Sequence, residues 1–425
     1  MLKKIFLISI ITIIASMTIS CGVDYAFSPY YKGGDEDKDY VLKMEDQKEL
    51  DINFALAESY RTSGEGTGRI YRNTSFVGSS YGYLLAFYEY RKYSGEIGVD
   101  GEIICDIQIK KSSDGRTFES FGSTIGKSAT SGTNSHGSPV SFYANNKDLI
   151  LLSSSGMGFS TNDKGESKIS ISKSYDNGNE WSDWRDIDDS VFSDLKTQGF
   201  DRFYPVSGNG ITLSDGTLAC ALDIGSTNNK GTTGKTVKHL GFAILYSRDN
   251  GENWKVGGIY KYSEEDSYKN AKIIARTSDK SLLIVASPKD GKNDSYAKWF
   301  KASDLTSSIN EWSEGAKIES NGGKIEGTKL RAGNRIILTY ADKNNNLWIA
   351  VSEDEGRTFE TYKKELNDKL GYNSTVRGLI DGTIVFFYEF TISPSIVYNT
   401  LYKLNYRRIS VNWLTDGTQD YYVGW

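Results

Sequence analysis

Proline and cysteine are scarce: five and three of 425 residues. Beside 43 glycines and 13% aromatics, so little proline argues against a disordered chain and for folded β structure rich in tight turns. The three cysteines and the two histidines, His136 and His239, are too few for a zinc site, and neither a metal nor a cofactor is expected. A basic tract is also missing. Charge of both signs is interspersed to a net −5, which argues against a nucleic acid partner. No stretch has the length and period of a long helix, except weakly around Phe192 to Gln198. With 425 residues there is ample material for a sizeable core.

The N-terminus reads as a targeting segment. Lys3 and Lys4 precede the apolar run Ile5 to Met17, which is too short for a comfortable membrane span. Thr18-Ile19-Ser20 then leads to Cys21. Residues 1–20 therefore read as a signal peptide, and this ending resembles a bacterial lipoprotein signal, which would make Cys21 the lipidated first residue of the mature chain. Such signals usually carry Leu where Thr18 stands; the alternative is a plain secretory signal with an incidental cysteine. Residues 21–50, polar and without periodicity, read as a tether. The expected location is the bacterial cell envelope, at the outer membrane or cell surface, with the membrane reached through the N-terminal lipid. Cys105 and Cys220 lie in strand-like runs and read as small buried hydrophobes.

One short pattern occurs four times: Ser112-Ser-Asp114-Gly115-Arg-Thr-Phe118, Ser174-Tyr-Asp176-Asn-Gly178-Asn-Glu-Trp181, Ser247-Arg-Asp249-Asn-Gly251-Glu-Asn-Trp254 and Ser352-Glu-Asp354-Glu-Gly356-Arg-Thr-Phe359. Ser and Asp can bond the local backbone, Gly takes a positive φ, and the aromatic packs beneath, as a hairpin turn requires. Two strand types alternate around these turns. One is nearly continuous in apolar residues: 82–87, 148–152, 216–221, 281–285, 335–340 and 382–387. The other alternates more and tends to run into the turn: 106–110, 168–172, 242–246, 296–300, 347–351 and 401–405. Inner and half-exposed outer strands in six units of roughly 50 to 70 residues predict an all-β, six-bladed β-propeller over 51–425. A strand around Ile52 to Ala57 is expected to close the ring.

The chain resembles the bacterial sialidase (neuraminidase) family from about residue 66 to about 410. The turns look like that family's Asp boxes, which lie on outer hairpins away from the active site and occur in other propellers. More specific are Tyr71-Arg72-Asn73-Thr74, similar to Tyr/Phe-Arg-Ile-Pro, and Leu84-Leu-Ala-Phe-Tyr-Glu89-Tyr-Arg91, similar to Leu-Leu-Ala-Phe-Ala-Glu-Gly-Arg. Gly208-Asn-Gly210-Ile211 resembles a Gly-rich stretch before the third blade. Gly371-Tyr372-Asn373-Ser374 with Asp381 to Glu389 resembles the Tyr-Ser-Ser and Asp-Gly-Thr…Tyr-Glu blocks.

This resemblance implies a tyrosine nucleophile, because a carboxylate would be repelled by the carboxylate of sialic acid. Tyr372 would be that nucleophile and Asp100 the general acid/base. Arg72 would bind the substrate carboxylate, Glu389 would orient Arg72, and Arg91 would line the pocket. Each has a rival reading. Tyr372 is one of 28 tyrosines, Arg72 could be a surface ion-pair residue, Glu96 and Glu102 share the loop of Asp100, and Glu389 could be a buried arginine partner without catalysis.

Departures from the pattern bear on function. The strand Leu282 to Pro288 and the stretch Asp342 to Leu347 lack the second and third arginines, Asn270-Ala271-Lys272 lacks the expected glutamate, and no Pro follows Arg72. Lys272, Lys289, Arg276 or Lys343 are candidate replacement cations. Two readings result. The first is a surface exo-α-sialidase-type hydrolase, a monomer acting on terminal sialic acid or a related acidic sugar. The alternative is a non-catalytic propeller that binds glycans or host proteins.

Overall fold

Six apolar runs set the architecture: Leu84–Arg91, Leu149–Gly156, Leu218–Gly225, Leu282–Pro288, Ile336–Ala341 and Ile384–Ser393. Each is the second strand of an antiparallel four-stranded blade. The computed structural model describes residues 51–418, apart from 62–67, 79–82, 92–103, 120–121, 163–164, 232–233, 264–267, 290–295, 331–334, 360–361, 380–382 and 394–400. Signal peptide, Cys21, tether and Asp100 all lie outside the described residues.

The innermost strands are Gly68–Gly78, Gly137–Tyr143, Arg202–Pro205, Tyr268–Arg276, Glu326–Lys329 and the second half of Tyr362–Gly378. The last of these is shared. Its first half pairs with Asn346–Ser352 as the outer strand of the fifth blade, and its second half pairs with Ile384–Ser393 as the inner strand of the sixth. Asp51–Glu58 pairs with Leu401–Ile409 and closes the ring, with Arg407 donating two 2.7 Å bonds to the carboxylate of Asp51.

The apolar core is divided into wedges, one between each pair of neighbouring blades. This explains one difference from the sequence reading. The more polar strand series is the third strand of each blade, and two of its members, Ser167–Ser174 and Gly241–Ser247, are almost wholly buried. A blade is covered on both faces by its neighbours, so alternation of residue type does not translate into alternation of exposure. Among the described residues helix is limited to short turns such as Ser193–Thr197.

All four Ser-x-Asp turns share one geometry. The serine Oγ donates to the aspartate at 2.7–3.0 Å and accepts the glycine N–H at 2.7–2.9 Å. The glycines have φ of 60–96°, which favours residues without Cβ. Trp254 and Phe359 are buried beneath their turns, and Trp181 is half-buried. Cys105 and Cys220 are buried free thiols.

Candidate functional site

The innermost strands lose their regular pairing at one level. Register shifts occur between Arg72 and Ser75, Gly137 and Val140, Lys269 and Lys272, and Leu370 and Ser374. Asn73, Ser138 and Asn270 sit in these irregularities with positive φ of 49°, 52° and 56°. A bulge removes a backbone N–H from the ladder, and a buried N–H needs another acceptor. Here the acceptor comes from the sixth residue of the second strand in the preceding blade. Glu389 accepts from Asn73 N–H at 2.8 Å and Glu89 from Ser138 N–H at 2.5 Å. Asp223 accepts from Asn270 N–H at 2.7 Å and from Ala271 N–H at 3.2 Å. Ser287, at the same strand position, accepts from Ile325 N–H at 3.2 Å.

Each of the three carboxylates also holds a basic side chain. Arg72 Nε donates to Glu389 at 2.9 Å, while its guanidinium lies 4.0 Å over the ring of Tyr402. Arg91 Nε donates to Glu89 at 2.5 Å. His239 Nδ1 lies 2.9 Å from Asp223. Asn73 ties the first two pairs together: its Nδ2 donates to Glu89 at 2.9 Å, and its Oδ1 accepts from Asn373 and, at 3.3 Å, from Lys324. Asn373 also donates to Glu389 at 2.9 Å.

The segment from Pro205 to Gly210 crosses the axis and floors this network. Gly208 and Asn209 pair in parallel with the inner strand of the second blade. Asn209 accepts from Phe76 N–H of the first blade and donates to Val376 C=O of the sixth. Lys272 Nζ of the fourth blade reaches the carbonyls of Val206 and Ser207 and lies 3.2 Å from Glu326 of the fifth. Gly208 has φ 126°, and a Cβ there would lie 2.0 Å from Glu326 Oε2, so glycine is required by both conformation and space. Lys324 bonds the hydroxyl of Ser207.

Four buried cations (Arg72, Arg91, Lys272, Lys324) thus share the axial end with four buried carboxylates, Glu89, Asp223, Glu326 and Glu389, and the formal charges balance. Burial pushes the Glu326 carboxyl up against the opposing pull of Lys272, which tips the balance toward positive. Buried charge of this kind is costly without compensation and suits an anionic ligand. Among the described residues no group of three His, Cys, Asp or Glu side chains is placed to hold a metal.

Of the residues singled out in the sequence, Arg72 and Glu389 meet although they are 317 positions apart. Tyr372 lies in the shared strand between the fifth and sixth blades, next to Asn373 of the network, but its side chain is outside the description, as is the whole of Asp100. Arg91 differs from expectation. It is 0% exposed and turned onto Glu89, two residues earlier on the same face of its strand, so it braces the site from behind rather than lining it. Among the replacement cations considered, Lys272 is at the axis, whereas Lys343 pairs with Glu319 and Arg276 with the Lys280 carbonyl, both away from it. Sequence reasoning missed Lys324 and Ser207, which no motif marks, and gave Asn73 no role beyond its place beside Arg72. It also missed Glu326 and Asp223; only the equal spacing of Glu89, Asp223 and Glu389 from their strand starts signals the latter.

A family model described as BNR repeat-like domain matches residues 106–384. The chain belongs to the BNR repeat-like domain family. No curated protein matches it in sequence. Among solved structures, this BNR repeat-like domain is similar to a Hadza microbial sialidase at 17% identity and TM-score 0.62, covering 81% of this chain and 66% of that one. It is similar to the intramolecular trans-sialidase from Ruminococcus gnavus at 15% identity and TM-score 0.61, covering 81% and 95%. A Dyadobacter fermentans protein of unknown function shares the fold at 14% identity and TM-score 0.59, covering 84% and 98%. At these identities the likeness of the BNR repeat-like domain is one of sialidase-like six-bladed fold.

Proposed function

We propose that the axial end binds terminal sialic acid or a related acidic sugar through its carboxylate, and that the protein is an exo-α-sialidase-type glycoside hydrolase. The observation that carries this reading is the buried Arg72–Glu389 pair together with Lys324, which reaches Asn73, and Lys272, which reaches the Ser207 carbonyl. A guanidinium fixed by a carboxylate is held in place before a ligand arrives, and two ammonium groups supply charge that the missing arginines do not. In this reading Tyr372 is the nucleophile and Asp100 the general acid/base. Glycoconjugates are the substrates, and a lipid on Cys21 holds the protein at the cell envelope.

A second reading, a propeller that binds acidic glycans or host proteins without cleaving them, is favoured by one observation. The carboxylates of Glu89, Glu326 and Glu389 are all occupied with cations, so none of the three is positioned as the base that a phenol of ordinary pKa near 10 would need.

A fluorogenic α-sialoside assay with parallel calorimetric binding of N-acetylneuraminic acid separates the two. The hydrolase predicts turnover that Tyr372→Phe lowers by on the order of 10³-fold or more with binding retained. Both readings predict that Arg72→Ala weakens binding by roughly 10- to 100-fold, through loss of a charged hydrogen bond. Binding without turnover selects the second reading. Absence of both rejects the axial site.

A further inference from the structure

The carboxylates at the sixth position of the second strands form a set with one member that the proposed function leaves unused. Glu389, Glu89 and Asp223 each accept the bulged backbone N–H of the next blade, so the repeat geometry places all three at the same level around the axis. Two of them hold arginines, which stay charged at every accessible pH. The third holds His239, one of two histidines in the chain.

The dyad is fully built. Asp223 is 0% exposed and receives the Asn270 and Ala271 amides, the Tyr204 hydroxyl at 3.4 Å and His239 Nδ1. These donors use its lone pairs and hold it as the acceptor, so the imidazole proton on Nδ1 points at the carboxylate and Nε2 lies on the far side of the ring from it. The ring rests against Phe159, 4.8 Å between centroids, and near Tyr204, and the side chain keeps 13% of its surface exposed. The groups facing it are therefore the Asp223 carboxylate from the strand Leu218–Gly225, the Tyr204 hydroxyl from Arg202–Pro205, the apolar Phe159, and the two amides from Tyr268–Arg276. No second cation is among these groups. The same carboxylate anchors Asn270, the place where the resemblance leads one to expect a glutamate that this chain lacks.

We propose that His239 is a ligand-binding residue of the axial site, oriented by Asp223, and that it donates from Nε2 to the carboxylate-bearing sugar. Asp223 is its positioning residue. The inference rests on the acidic-sugar reading above but not on hydrolysis.

The test is calorimetric titration of the full protein with N-acetylneuraminic acid on wild type, His239→Ala, His239→Gln and Arg72→Ala. His239→Ala should bind about tenfold or more weakly than wild type, the scale of one hydrogen bond to a charged group. His239→Gln, which keeps the size of the side chain and a donor, should recover part of that loss. Imidazole ¹⁵N spectra supply a readout that a merely structural dyad would not move: the His239 resonances should shift on adding the sugar. Wild-type affinity in His239→Ala, or His239 resonances unmoved by a sugar that binds, overturns the proposal while leaving the Arg72 site standing. Absence of binding in wild type removes both.

Discussion

At the residue scale, one aspartate organises each outer turn. Burial works to raise the carboxyls of Asp114, Asp176, Asp249 and Asp354. Hydrogen bonds from local backbone amides and from Ser or Thr hydroxyls outweigh it and hold them below the usual carboxylate range. A carboxyl depressed in the folded state contributes stability above its unfolded pKa, about 3.9, and loses it as pH falls through the folded value. These four carboxyls should therefore lower the urea midpoint as pH falls below about 4, and Asp249→Asn should lose less over that range than wild type. A wild-type midpoint unchanged at pH 3 would contradict this. These turns were legible in the sequence because every partner lies within a few residues. Asn73 was not. Its partners are 16 to 316 positions away, and only the assembled ring gives it a role.

At the scale of elements, the bulge of one blade is held by the second strand of the blade before it. The apolar second strands were readable as runs, since burial on both faces selects continuous hydrophobicity. The bulges were not, because the slip between Arg72 and Ser75 depends on an acceptor supplied by Glu389 from the far end of the chain. The paired Arg72 and Glu389 were legible only through family resemblance; their types alone would also fit an exposed ion pair. Glu89→Ala should be among the most damaging substitutions. It strips the acceptor from Ser138 N–H, Asn73 Nδ2 and the buried Arg91 guanidinium at once. Leaving a buried cation unpaired costs about 3–5 kcal/mol. Urea unfolding measures this directly. A loss below about 1 kcal/mol, the scale of an exposed pair, would show that Arg91 finds compensation elsewhere.

For the whole molecule, the blade number followed from counting repeats, and closure by residues near Ile52 was visible as a leftover strand. The axial floor was not visible: Gly208 to Ile211 read as the approach to the third blade, whereas the segment from Pro205 to Gly210 contacts the first, second, fourth, fifth and sixth. The closing strand also fixes where a tether would leave the domain, at the outer edge of the sixth blade. If Cys21 carries lipid, wild type extracted from cells should enter the detergent phase on Triton X-114 partition, and Cys21→Ser should move it to the aqueous phase. Wild type in the aqueous phase would reject the anchor.

Ring closure also has a consequence in time. Asp51 and its partner Arg407 are 356 positions apart. At the usual rate of about 5–20 residues per second, roughly 20–70 s separate the synthesis of the first strand from that of its neighbour. Throughout that interval the segment Asp51–Glu58 is an unpaired edge, the kind of strand that invites pairing with other chains. Acidic residues stand at both its ends, Asp51 and Glu58, and charge at a strand's margins discourages such encounters. A polypeptide released before residue 401 would keep that edge indefinitely. Its sixth blade would have neither its third nor its fourth strand, and the five blades before it would form an open arc.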